Sequence, residues 1–156
     1  MAATFEEAFF KAQDAASQQL PLEGAVLLTV AEKDREEAAA VASDFAAMGF
    51  RIVATRGSGD FFESRGIANE RILKLHEGRP NIADAIKNGE IQLVINTPAG
   101  KLSQYDDSYI RKNAIRFGLP YITTLAAARA AARGIAAVRR GAGEVRALQD
   151  YHADIG

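Results

Sequence analysis

"GAVLLTVAEKDREEAAAVASDFAAMGFRIVATRGSG", residues 24–59, contains one full period of the pattern that organises this chain. A short β-rich run, AVLLTV (25–30), leads into a longer helical segment, Asp34–Met48. Gly49 follows, then a second β-rich run, RIVAT (51–55), and a break into small polar residues. Two such runs joined by a helix make a βαβ unit, and repeats of that unit build a parallel sheet.

The alternation continues on the carboxyl side with the runs RILKL (71–75), IQLVINT (91–97) and PYITT (120–124). Helices are expected over Asp60–Arg65, Ile82–Asn88 and Asp107–Phe117, with further helices in LAAARAAARGIAAVRRG and EVRALQDYHADI. Gly49, Gly66, Gly89 and Gly118 fall where a helix must stop before the next strand, as left-handed caps that glycine adopts cheaply. The fold class is therefore α/β, with a five-stranded parallel sheet flanked by helices in three layers and no internal repeat. At the amino end, Thr4 and Glu7 have capping-box spacing, and Phe5, Ala8, Phe9 and Ala12 form a helical stripe. The segment SQQLPLEG then reads as a linker, so residues 1–20 are set apart from the domain at 21–156.

Composition narrows the function classes. Nineteen basic residues against twenty acidic ones give a net charge of −1, so no global field draws nucleic acid or a membrane surface. Cysteine is absent, which excludes disulfides and thiolate chemistry. His76 and His152 lie too far apart for a local metal motif, and no metal is expected. There is no secretory segment near Met1 and no apolar run of membrane length, which fits a cytoplasmic protein.

In a parallel α/β sheet, ligands collect at the carboxyl ends of the strands, where helix N-termini present unsatisfied N–H groups. Here those ends carry Thr29, Thr55, Asn96, Thr97, Thr123 and Thr124. TRGSG (55–59) has the makings of a phosphate cradle: glycines that admit an anion to the backbone, two hydroxyls, and a helix dipole behind them. A short Gly/Ser segment also makes a plain βα turn, and it matches neither a Walker loop nor a dinucleotide fingerprint. Lys74, amid apolar neighbours, either snorkels to solvent or meets an anion. Glu77 and Arg79 are either substrate groups or a solvated loop. Asp106 and Asp107 read most simply as an N-cap. No Ser-His-Asp arrangement and no paired acids at strand ends point to catalysis.

The blocks GAVLLTV…RIVATRGSG, LKLHEGRPNIADAIKNGEIQLVINT and PYITT closely resemble the methylglyoxal-synthase-like domain at the carboxyl end of carbamoyl-phosphate synthetase large subunits, over about residues 24 to 155. TFEEAFFKAQ resembles the segment that closes the preceding synthetase domain in that family. The resemblance implies regulation: nucleotide effectors such as UMP and IMP bind here, while synthesis from ATP with Mg or Mn proceeds in other domains, partnered by a small glutaminase subunit. It places phosphate contacts at Thr29, Arg35, Thr55, Gly57, Ser58 and Lys74, with Asn96 and Thr97 beside the ribose or base. Arg35 stands where the family has a lysine, and so would meet phosphate as a bidentate fork rather than a point charge. Pro98 replaces a threonine, and Ile122 stands where ornithine-responsive members have aspartate, which argues against ornithine sensing. Against methylglyoxal synthase itself, the aspartate base corresponds to Arg79. Triose-phosphate elimination and an oligomerisation domain with a decayed pocket are the alternative readings.

Overall fold

The computed structural model describes residues 20–75, 77–98 and 104–155, and for 104–106 and 142–155 the backbone alone. The elements are β1 (Ala25–Thr29), a 3-10 turn (Glu32–Asp34), α1 (Arg35–Ala47), β2 (Arg51–Ala54), α2 (Arg56–Ser64), β3 (Glu70–Arg71), α3 (Ile82–Lys87), β4 (Leu93–Asn96), α4 (Gln104–Arg116), β5 (Tyr121–Ile122) and α5 (Leu125–Ile155). The sheet has five strands in the order β3-β2-β1-β4-β5, all parallel.

Both faces of this sheet are covered, which is why its central strands are apolar without interruption. Side chains alternate across the sheet with period two, and the core divides accordingly. Val26, Leu28, Ile52, Ala54, Leu93 and Ile95 pack with Val41 and Phe45 of α1, Phe62 of α2 and Leu125 and Ile135 of α5. Ala25, Leu27, Val53 and Val94 turn the other way, onto Ile82 and Ile86 of α3 and Ile110 and Ala114 of α4. These are the three layers the sequence pattern predicts. Leu20, only 4% exposed, belongs to the first cluster, so the chain is anchored from that residue onward. The expected amino-terminal helix and the first three residues of the linker, 17–19, lie outside the described residues.

Helix termination follows one device four times. Gly49, Gly66, Gly89 and Gly118 all have positive φ. In each case the glycine N–H donates to the carbonyl three residues back and the next N–H donates five residues back, as in Phe50 N–H to Phe45 O at 3.1 Å. This Schellman arrangement satisfies carbonyls that the helix end leaves open.

Three expectations change. Strand three shrinks from 71–75 to Glu70–Arg71, because the chain leaves the sheet edge and Leu73 bridges to Asn81 instead. The second helix begins at Arg56 rather than Asp60: Thr55 is its extended N-cap (φ −69°, ψ 164°), and Gly57, Ser58 and Gly59 lie in the first turns. TRGSG is therefore a helix start and not a loop. The two carboxyl-terminal helices are one, of 31 residues. An internal glycine costs a helix only about 1 kcal/mol relative to alanine, which does not end a helix this long.

Candidate functional site at the carboxyl rim of the sheet

Strand order reverses beside β1, since β1 connects to β2 on one side while β4 lies on the other. In sheets of this kind a crevice opens at that switch point. Here it is a cleft above the ends of β1, β2 and β4. Thr29, Arg35, Thr55, Gly57, Ser58, Lys74, Asn96 and Thr97 all line it, so the eight residues that the resemblance assigns to phosphate, ribose or base meet at one place.

The floor is built by register. Thr29 stands opposite Asn96 in the β1–β4 pair, and Thr97 N–H donates to Thr29 O at 3.1 Å. Thr97 Oγ1 accepts the Ala31 N–H at 2.9 Å, which fixes the entry to the 3-10 turn and leaves the hydroxyl its own proton to donate. Asn96 Nδ2 donates to Asp107 Oδ1 at 3.1 Å and to Tyr121 Oη at 2.7 Å. Both amide hydrogens are thus spent on clamping β4 to α4 and β5, and what Asn96 retains for a ligand is its carbonyl oxygen. Burial holds the Tyr121 phenol above its ordinary value, partly opposed by the Asn96 hydrogen bond.

One wall is the start of α2. Thr55 makes no side-chain cap bond, and the first helical bond there is Gly59 N–H to Thr55 O at 2.7 Å. The amides of Arg56, Gly57 and Ser58 precede it and have no intrahelical acceptor. Ser58 is buried, and its hydroxyl bridges the Val30 backbone, accepting from N at 3.3 Å and donating to O at 3.4 Å. Ser58 therefore offers the cleft its amide, while Thr55 offers a hydroxyl.

Two cations complete the wall. Arg35 is the first residue of α1, and its Nε is buried with no hydrogen-bond partner among the described residues. Its guanidinium lies against Gly57. Lys74 is exposed just past β3, in a turn where its N–H donates to Glu77 Oε1 at 2.8 Å. Lys74 nevertheless lines the same cleft, so an exposed lysine and one placed to meet an anion are compatible at this position.

Other candidates go elsewhere. Arg79 pairs with Asp84 at 2.6 Å, outside the cleft lining. That contact raises the Arg79 value and, together with the Asn81 N–H, lowers the Asp84 carboxyl. Glu77 is committed to the Lys74 turn. Pro98, Thr123 and Thr124 line a neighbouring depression with Lys33 and Glu37. His76 lies outside the described residues. No group of three or more His, Cys, Asp or Glu suited to a metal occurs among the described residues.

Sequence reasoning missed Asp107 and the apolar lining of Val30, Leu75, Ile82 and Ile110. The N-cap reading of Asp107 fails because α4 already begins at Gln104. The signal that would have found it is its spacing from Ile110 on one helical face, which turns both toward the sheet.

No helix among the described residues is long and apolar enough to cross a membrane. The family model for the MGS-like domain matches residues 37–123. The carbamoyl phosphate synthase large chain of Gemmatimonas aurantiaca is 49% identical over 148 residues, covering 95% of this chain and 14% of its own length. A carbamoyl phosphate synthase large chain, C-terminal section, from Methanopyrus kandleri is 43% identical over 150 residues, covering 96% of this chain and 28% of its own. The chain thus spans a small fraction of the relatives it matches. Among solved structures, methylglyoxal synthase from Elizabethkingia anophelis superposes with a TM-score of 0.59 at 16% identity, covering 70% of this chain and 77% of that one, a likeness of fold. The chain belongs to the MGS-like domain family, in the form found in carbamoyl phosphate synthase large chains.

Proposed function

We propose that the cleft binds the phosphate of a nucleoside monophosphate of the UMP or IMP type, and that the domain is regulatory rather than catalytic. The observation that carries this reading is the meeting of Arg35, Lys74 and the open amides of α2 in one cleft, with a buried donor on Arg35 left unpartnered among the described residues. An unpaired buried donor is costly in the free protein, and an anion relieves that cost. A helix N-terminus contributes about 0.3–1 kcal/mol toward an anion, and each charged hydrogen bond roughly 1.5–3. Several together, less ordering costs, correspond to dissociation constants from about micromolar to millimolar. Thr97 and the Asn96 carbonyl sit at the far side of the floor, suited to hydroxyl and N–H groups of a ribose and base.

The relatives support placing the domain within a longer chain. We place this domain in a large chain beside synthetase domains that use ATP with Mg or Mn and draw on a small glutaminase subunit. There the bound nucleotide would favour one of two global states, a coupling of typically about 1–3 kcal/mol. Arg79, which stands where the resemblance puts the aspartate base of methylglyoxal synthase, pairs with Asp84 outside the cleft lining, which supports binding without turnover.

Calorimetric titration with UMP and with IMP tests the reading, accompanied by a methylglyoxal assay with dihydroxyacetone phosphate. Saturable binding of at least one nucleotide and no product is expected. Absence of binding at millimolar concentration, or turnover of the triose phosphate, rejects it.

A further inference from the structure

Gly57 occupies the second position of α2, in helical backbone where alanine is intrinsically favoured over glycine. Nothing in its conformation calls for glycine, since it is not among the positive-φ glycines of the chain. Space does. A Cβ on Gly57 would overlap Arg35 Nη2 and lie 3.3 Å from its Cζ. The obstructing atoms are the far end of a side chain, so a methyl group there would shift the guanidinium and leave the backbone where it is.

We propose that Gly57 is a positioning residue for Arg35: its missing side chain is the slot that the Nη2 end of the guanidinium occupies against the first turn of α2. In that slot the fork sits beside the open amides of Gly57 and Ser58, where one phosphate can take both sets of donors. The slot also matches the chemistry of this chain, because a planar guanidinium is broad where an ammonium on a flexible stem is narrow. A lysine at position 35 would not need the glycine for clearance. This inference rests on the phosphate-binding reading above and adds a dependence between two residues, which can fail while that reading stands.

The test is a double-mutant cycle on the 156-residue chain with Gly57→Ala, Arg35→Lys and the pair together, titrated with UMP and with inorganic phosphate. With arginine at 35, Gly57→Ala is expected to weaken both ligands by about tenfold or more, the loss of about one charge-assisted hydrogen bond. With lysine at 35 the same change is expected to alter affinity by less than about twofold. Melting temperatures should not fall, as alanine suits the helix. Equal losses in the two backgrounds would overturn the proposal, since the glycine would then serve the ligand's own approach to the backbone. If Gly57→Ala alone fails to fold, folding of the double variant sustains the clash with Arg35, and failure of both overturns it. If the unmodified chain binds neither probe, the phosphate-binding reading falls and this inference with it.

Discussion

Arg35→Ala is expected to weaken UMP and inorganic phosphate by roughly a hundredfold, the effect of losing two charge-assisted hydrogen bonds of about 1.5 kcal/mol each. Its melting temperature should hold or rise. Arg35 is the first residue of α1 and carries its positive charge at the positive end of that helix, a placement that works against stability. Its Nε is buried without a partner among the described residues, which adds to the cost in the free state. Both liabilities disappear with the side chain. A group that binds tightly to ligand while destabilising the free protein is the signature of a functional residue, and calorimetry beside thermal melting separates the two effects. Unchanged affinity in Arg35→Ala would remove the guanidinium from the site.

Phe62→Ala is expected to destabilise the chain by about 3–5 kcal/mol, the range for deleting a large buried aromatic side chain. Phe62 is fully buried in the cluster between the sheet and α1, and it lies four residues, about one turn, beyond Ser58 on α2. It pins the helix whose first turn forms the anion wall. Its carbonyl also accepts the Ile67 N–H at 2.9 Å, closing the Schellman cap at Gly66. Urea unfolding measures the loss, and the affinity for UMP should fall with it as α2 loosens. A destabilisation below about 1 kcal/mol would mean that the site can collapse around the gap.

Much of this architecture is visible in the sequence because its signals are local. Four glycines mark four helix ends, and each one forms the cap its position implies. The apolar runs of β1, β2 and β4 announce a sheet covered on both faces. The site residues were legible for a related reason: parallel topology puts strand ends on one rim, so Thr29, Thr55, Asn96 and Thr97 had to be near one another once the order was fixed.

What escaped reading depends on three-dimensional competition. Glycine and serine in TRGSG signal a turn by propensity, yet burial of Ser58, Gly59 and Phe62 against the core holds the segment helical from Arg56. Strand three carried an apolar pattern through Leu75, but its edge position gives it one neighbour, and Leu73 finds Asn81. Ser58 looked like a phosphate donor, and only the approach of Val30 shows that its hydroxyl is already committed. The unpartnered Nε of Arg35 and the clearance at Gly57 are likewise properties of packing, which no spacing rule contains.

The central claim is that this rim holds a phosphate group. Crystals of the chain soaked with UMP give the most direct measurement. Density for the phosphate is expected against the amides of Gly57 and Ser58, with the Arg35 guanidinium and the Lys74 ammonium closing on its oxygens. An empty rim, with Arg35 turned toward solvent and the nucleotide absent or seated elsewhere, would contradict it.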